Sequence, residues 1–117
     1  MEMSKDTLEE IFQLAQQVDR GDITQAKGRD DLVRAYGLNV NSANMAIRSL
    51  RHLLKGERYR RALTLGATDY FLGRIRDECG EQGLKRSLVG LSAHIDYRHS
   101  TGVEVPGLQT ILSKHSK

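Results

Sequence analysis

Asn39-Val-Asn-Ser-Ala-Asn-Met-Ala-Ile-Arg-Ser-Leu-Arg-His-Leu-Leu-Lys-Gly56 carries the clearest periodicity in the chain. After a turn bracketed by Asn39 and Asn41, the apolar residues Ala43, Ala46, Ile47, Leu50 and Leu54 recur at helical spacing up to Gly56. That spacing places them on one buried side of a helix. Asn44, Arg48, Arg51 and Lys55 follow at steps of four, three and four, which puts them on the opposite face. One amphipathic helix with a polar, cationic outer face is the first expectation.

Working outward, the same period recurs on both sides. Towards the amino end, Thr7 followed by Glu10 reads as a capping box, with Leu8, Ile11, Phe12, Ala15 and Val18 in helical register until Gly21. Thr24 caps a second helix with Ala26, Leu32, Val33 and Tyr36 as its apolar residues, and Gly37 stands at the usual stop. Gly28 weakens that helix from inside.

Towards the carboxyl end, Thr64 or Thr68 opens a fourth helix with Phe71, Leu72, Ile75 and Cys79 on one face and Gly80 at its end. Leu84, Leu88, Leu91 and Ile95 then form the stripe of a fifth, stopped by Gly102. Pro106 pre-sets a short last helix carrying Leu108, Ile111 and Leu112, whose tail should fray. Strand signals are nearly absent. The expected fold is all-α, a compact bundle of five to six helices forming a single helical domain over residues 1–117, with a helix-turn-helix-like pair at 24–56 and carboxyl-terminal helices over 64–115.

Composition narrows the classes of function. The chain has 117 residues, a formal charge of +3 and one cysteine, Cys79, so no internal disulfide or thiolate-rich metal site can form. No apolar run is long enough to cross a bilayer, and acidic Glu2 and Asp6 stand where a secretory signal would be basic then apolar. A cytoplasmic location with no membrane association follows as an expectation. The charge is unevenly spread: acids prevail before Gly28, whereas Arg48, Arg51, Lys55, Arg58, Arg60 and Arg61 crowd one stretch against Glu57 alone. Such a concentrated patch attracts phosphate, while scattered cations would mainly aid solubility.

These cations sit on and after the second helix of the candidate helix-turn-helix, so double-stranded DNA is the expected partner. Asn can bond adenine in two places and Arg can do the same with guanine, which makes Asn44, Arg48 and Arg51 the candidate base contacts. Asn41 and Ser42 at the helix start offer phosphate donors or simple caps, and Lys55, Arg58, Arg60 and Arg61 reach backbone phosphates. Tyr59, inside the basic run, is the candidate for stacking on a base. Tyr70 and Tyr97 are read as packing. His94 and Arg98, four apart, form either a second polar contact surface or half-buried packing, and Cys79 is read as core. His52, His94, His99 and His115 never pair at ligand spacing, so no metal, cofactor or catalytic set is expected. A homodimer is expected, because one short helix rarely supplies enough contacts to DNA. The alternative reading is a protein-interaction module or small adaptor docking onto a larger nucleic-acid-processing complex.

Several segments carry a family likeness: Tyr36 to Ser42, Ile47 to Tyr59, Ala67 to Leu72, Ala93 to Tyr97 and Pro106 to Leu108. Together, over about Thr24 to the carboxyl end, they resemble a helical module at the amino end of some bacterial HNH endonucleases, including McrA-like, modification-dependent restriction proteins. The resemblance implies a target-recognition or accessory role beside a nuclease or defence-system protein, with cutting done by a separate domain. This sequence departs from a nuclease in lacking the clustered His, Asn or Asp and the paired cysteines of an HNH site, so the implied role is a non-catalytic one.

Overall fold

Side-chain oxygens set where four of the helices among the described residues begin, and Pro106 opens the last. Ser4 Oγ accepts from the Thr7 amide, Thr24 Oγ1 from that of Lys27 and Thr64 Oγ1 from that of Ala67. Asn39 Oδ1 accepts from both Asn41 and Ser42. Each satisfies amides that a helix leaves without an internal partner. The computed structural model of the chain describes residues 3–117. Among them lie α1 (Lys5–Asp19), α2 (Gln25–Tyr36), α3 (Val40–Leu54), α4 (Leu65–Ser100) and α5 (Pro106–His115), with no strand. None of these helices is long and apolar enough to cross a membrane.

Several expectations shift in register. Helix α1 starts one turn before the Thr7–Glu10 box, because Ser4 is the cap and Thr7 is itself buried. The expected fourth and fifth helices are joined in α4, and the break expected at Gly80 is present inside it as a kink, where Gly80 is non-helical at φ 71° and ψ −172°. Among the described residues the helix count is five. That backbone region is open essentially only to glycine. Cys79, expected in the core, is exposed beside this break.

The described residues fall into two compact units, one ending at Arg51 and one starting at His52. In the first, Ile11, Phe12, Leu32, Ile47 and Leu50 are fully buried. Ala26 and Tyr36 of α2 are exposed instead of apolar-facing, and on α3 the buried leucine after Leu50 is Leu53 where Leu54 was expected. Gly28 lies where α2 meets its neighbours: a Cβ there would stand 3.4 Å from Ile47 Cδ1 and 3.6 Å from both Ile23 Cδ1 and Val18 Cγ2. Those are ordinary van der Waals distances to flexible side chains. Gly28→Ala should therefore raise stability by about 1 kcal/mol through helix propensity and added burial. Thermal unfolding should show this as a Tm about 4 °C higher, and an unchanged or lower Tm would contradict it.

In the second unit, α5 packs against α4, with Gly107 placed close to the Leu65 side chain. The end of α5 is tied down, contrary to the fraying expected. Lys114 Nζ donates to both Asp69 carboxylate oxygens at 3.0 Å, and buried His115 Nε2 lies 2.7 Å from Asp69 Oδ1. Bonding to His115 and Lys114 holds the Asp69 carboxyl below its usual pKa.

Candidate nucleic-acid interface

The polar face of α3 behaves differently from a free groove-reading surface. Gln25, at the first position of α2, donates from Nε2 to Asn44 Oδ1 at 2.9 Å and to the Asn44 carbonyl at 3.3 Å. Its Oε1 accepts from Arg51 Nη1 at 2.8 Å, and Arg51 Nε donates to Asp19 Oδ1 at 2.6 Å. Asp19, Arg51, Gln25 and Asn44 thus form one chain of bonds inside the first unit. The Arg51 side chain is 28% exposed. This corrects the expectation of a wet face for Asn44 and Arg51: detaching Arg51 would give up a charge-assisted pair. Arg48 is exposed as expected. The amides of Asn41 and Ser42 both donate to Asn39 Oδ1, so the cap of α3 is Asn39, and Asn41 and Ser42 are the residues whose amides it engages.

The second unit assembles the remaining cations on a scaffold that the sequence does not advertise. Between α3 and α4 the chain is irregular, and from Gly56 to Arg60 it runs alongside the later half of α4. Gly90 allows the approach: a Cβ there would lie 2.9 Å from the Glu57 carbonyl oxygen and 3.1 Å from the Gly56 carbonyl carbon. A Cβ on Gly56, at φ 72°, would meet the Arg86 carbonyl oxygen at 2.6 Å.

Further along, Tyr59 turns inward and Arg58 and Arg60 turn outward, the alternation of an extended segment. The Tyr59 ring is 2% exposed and stacks on fully buried His94 at a centroid distance of 4.1 Å and an interplanar angle of 7°. His94 Nδ1 donates to the Tyr59 carbonyl at 2.6 Å. Tyr59 therefore has no ring face for a base, which corrects the stacking expectation, and burial pushes its phenol pKa upward. His94 is packing, not contact surface.

The exposed result is a cationic ridge. The guanidinium carbons of Arg58 and Arg60 lie 5.3 and 5.9 Å from the centroid of half-buried Tyr97, within reach of the ring quadrupole. Arg61 and Lys55 are exposed on the same stretch, and Arg86 is exposed beside Gly56. Tyr97, which the sequence reading set aside as packing, is thus the ring that organises the arginines. Its spacing from the basic run hides this, since the two lie some forty residues apart in sequence.

His52 faces Glu57 at 3.1 Å and His99 faces Glu104 at 3.7 Å as isolated pairs. Among the described residues no group of three or more His, Cys, Asp or Glu is placed to hold a metal ion. Fold and site together define an all-helical chain whose distinctive surface is an arginine ridge laid along a helix. No family model, curated protein or solved structure matches it.

Proposed function

We propose that this chain is a non-catalytic, cytoplasmic DNA-binding protein that grips the phosphate backbone of duplex DNA through the Arg58–Arg60 ridge. The observation that carries the reading is the seating of two exposed guanidiniums on one tyrosine ring, in a loop pinned to α4. Like charges held together on a rigid support raise the local potential without losing much side-chain entropy when a phosphate arrives. Arg48 is the remaining candidate for reading a base, because Asn44 and Arg51 are engaged by Gln25. Binding is then governed more by backbone and shape than by base sequence.

The chain acts as a homodimer in this reading, and its context is the one implied by the HNH-associated resemblance: an accessory to a separate nuclease or defence-system protein. The test is fluorescence anisotropy on a labelled duplex through a salt series. Affinity should fall steeply with salt, by about 0.9 log units per log unit of salt for each phosphate neutralised. Arg58→Ala/Arg60→Ala should flatten the slope by about 2 and weaken binding about tenfold, with the helical spectrum unchanged. Binding that ignores salt, or that the double variant leaves intact, would sink the proposal in favour of a protein-docking module.

A further inference from the structure

The later half of α4 carries a second surface, distinct from the ridge. Lys85, Leu88, Val89, Ser92, Ala93 and Asp96 line a shallow groove beside Ser116, and Val89 is 63% exposed there. At 100° per residue these six occupy about 140° of the helix surface, with Lys85 and Asp96 close to its centre line at the two ends and Val89 and Ser92 about 30° to either side of it between them. Buried Leu91 and His94 point the other way.

The six residues form three pairs about one midpoint, between Gly90 and Leu91: Lys85 with Asp96, Leu88 with Ala93, and Val89 with Ser92. If two such helices lie antiparallel across a twofold axis through that midpoint, each residue of a pair meets the other in the second copy. Lys85 then faces the partner's Asp96 at both ends, and between them a larger apolar side chain, Leu88 or Val89, faces a smaller one, Ala93 or Ser92. A twofold contact must be self-complementary in this sense. A parallel arrangement would instead set Lys85 against Lys85 and Asp96 against Asp96.

We propose that this face of α4 is the site where a second copy of the chain docks, antiparallel, to form the homodimer. The inference rests on the homodimer of the functional reading and gives it a surface. Twelve residues of helix cover about 18 Å, and one such helix pair falls short of the roughly 1,200 Å² buried by stable interfaces. The dimer is therefore weak and concentration-dependent. Arg86 and Tyr97 lie about 100° round the helix axis from the centre of this face, so pairing leaves the ridge open in both copies.

Sedimentation equilibrium over a wide concentration series tests the proposal. The wild-type chain should approach twice its 13.2 kDa mass. Lys85→Glu alone, or Asp96→Lys alone, places like charges at both ends and should weaken association about tenfold, whereas Lys85→Glu/Asp96→Lys should restore it. Val89→Arg should abolish it. All three positions are exposed, so circular dichroism should show the fold intact. A wild-type chain that stays monomeric overturns the proposal and leaves the face to a different protein. Association indifferent to the single swaps, or not rescued by the double one, also overturns it. Salt-dependent DNA binding by a monomer would defeat this inference and spare the nucleic-acid reading; a charge-coded dimer that binds no DNA would do the reverse.

Discussion

Gly90→Ala is expected to lower stability by about 2 kcal/mol, although the same change elsewhere in a helix is stabilising. Alanine is the better helix former by about 1 kcal/mol, so the loss has to come from contact. The new methyl would stand 2.9 Å from the Glu57 carbonyl oxygen, 3.1 Å from the Gly56 carbonyl carbon and 3.2 Å from the Glu57 nitrogen. All three are backbone atoms, with no rotamer to swing aside, so the loop must lift off α4. Lifting it also strains the Tyr59–His94 stack and the 2.6 Å bond between them. Gly28→Ala supplies the control: it carries the same propensity gain but meets only side-chain atoms at 3.4 Å or more. Urea unfolding should separate the two variants by about 3 kcal/mol. Gly90→Ala should also weaken DNA binding without removing a cation, since Arg58 and Arg60 depend on that loop for their place over Tyr97. Equal stability of the two variants would show that the loop yields freely.

Helix starts and stops are written locally in this chain, whereas the partners of its polar side chains are not. The helices were legible because each is written in local terms: capping oxygens at Thr24 and Thr64, glycines after the last turn, and apolar residues at helical spacing. Errors of one turn arose where two polar residues competed for a cap, as Ser4 and Thr7 do. The ridge was half legible. The basic run is contiguous and its exposure follows from charge, but which partner each polar group takes is settled by residues far away in the chain. Gln25, nineteen residues from Asn44 and twenty-six from Arg51, engages both. Likewise Tyr59 and Tyr97 look alike in sequence, and only the close passage of the loop over Gly90 decides that the first is buried while the second is dressed with arginines.

The other large effect is a loss of stability in mild acid that traces to His94. Its ring is fully buried, and burial is the main cause that lowers its pKa below the ordinary histidine value of about 6.5; nearby Arg98 lowers it further, while the bond to the Tyr59 carbonyl opposes both. The unfolded chain therefore binds a proton at His94 before the folded chain does. Stability rises with pH wherever the unfolded state holds more protons. It should be complete above the unfolded value and decline as pH falls below about 6.5, towards the lower folded value. The steepest slope one such group can give is about 1.4 kcal/mol per pH unit. His94→Phe keeps a ring against Tyr59 but strands the Tyr59 carbonyl, which should cost about 1 to 3 kcal/mol at neutral pH. Having no proton to gain, the variant should lose less than wild type on acidification, so the gap between them narrows between pH 7.5 and 5. His52, His99 and His115 are common to both chains and cancel in the difference. A gap that stays constant across that range would mean that His94 takes up its proton as readily in the folded chain as in the unfolded one. In that case the loop would not be clamped to α4 in the way that holds Arg58 and Arg60 over Tyr97.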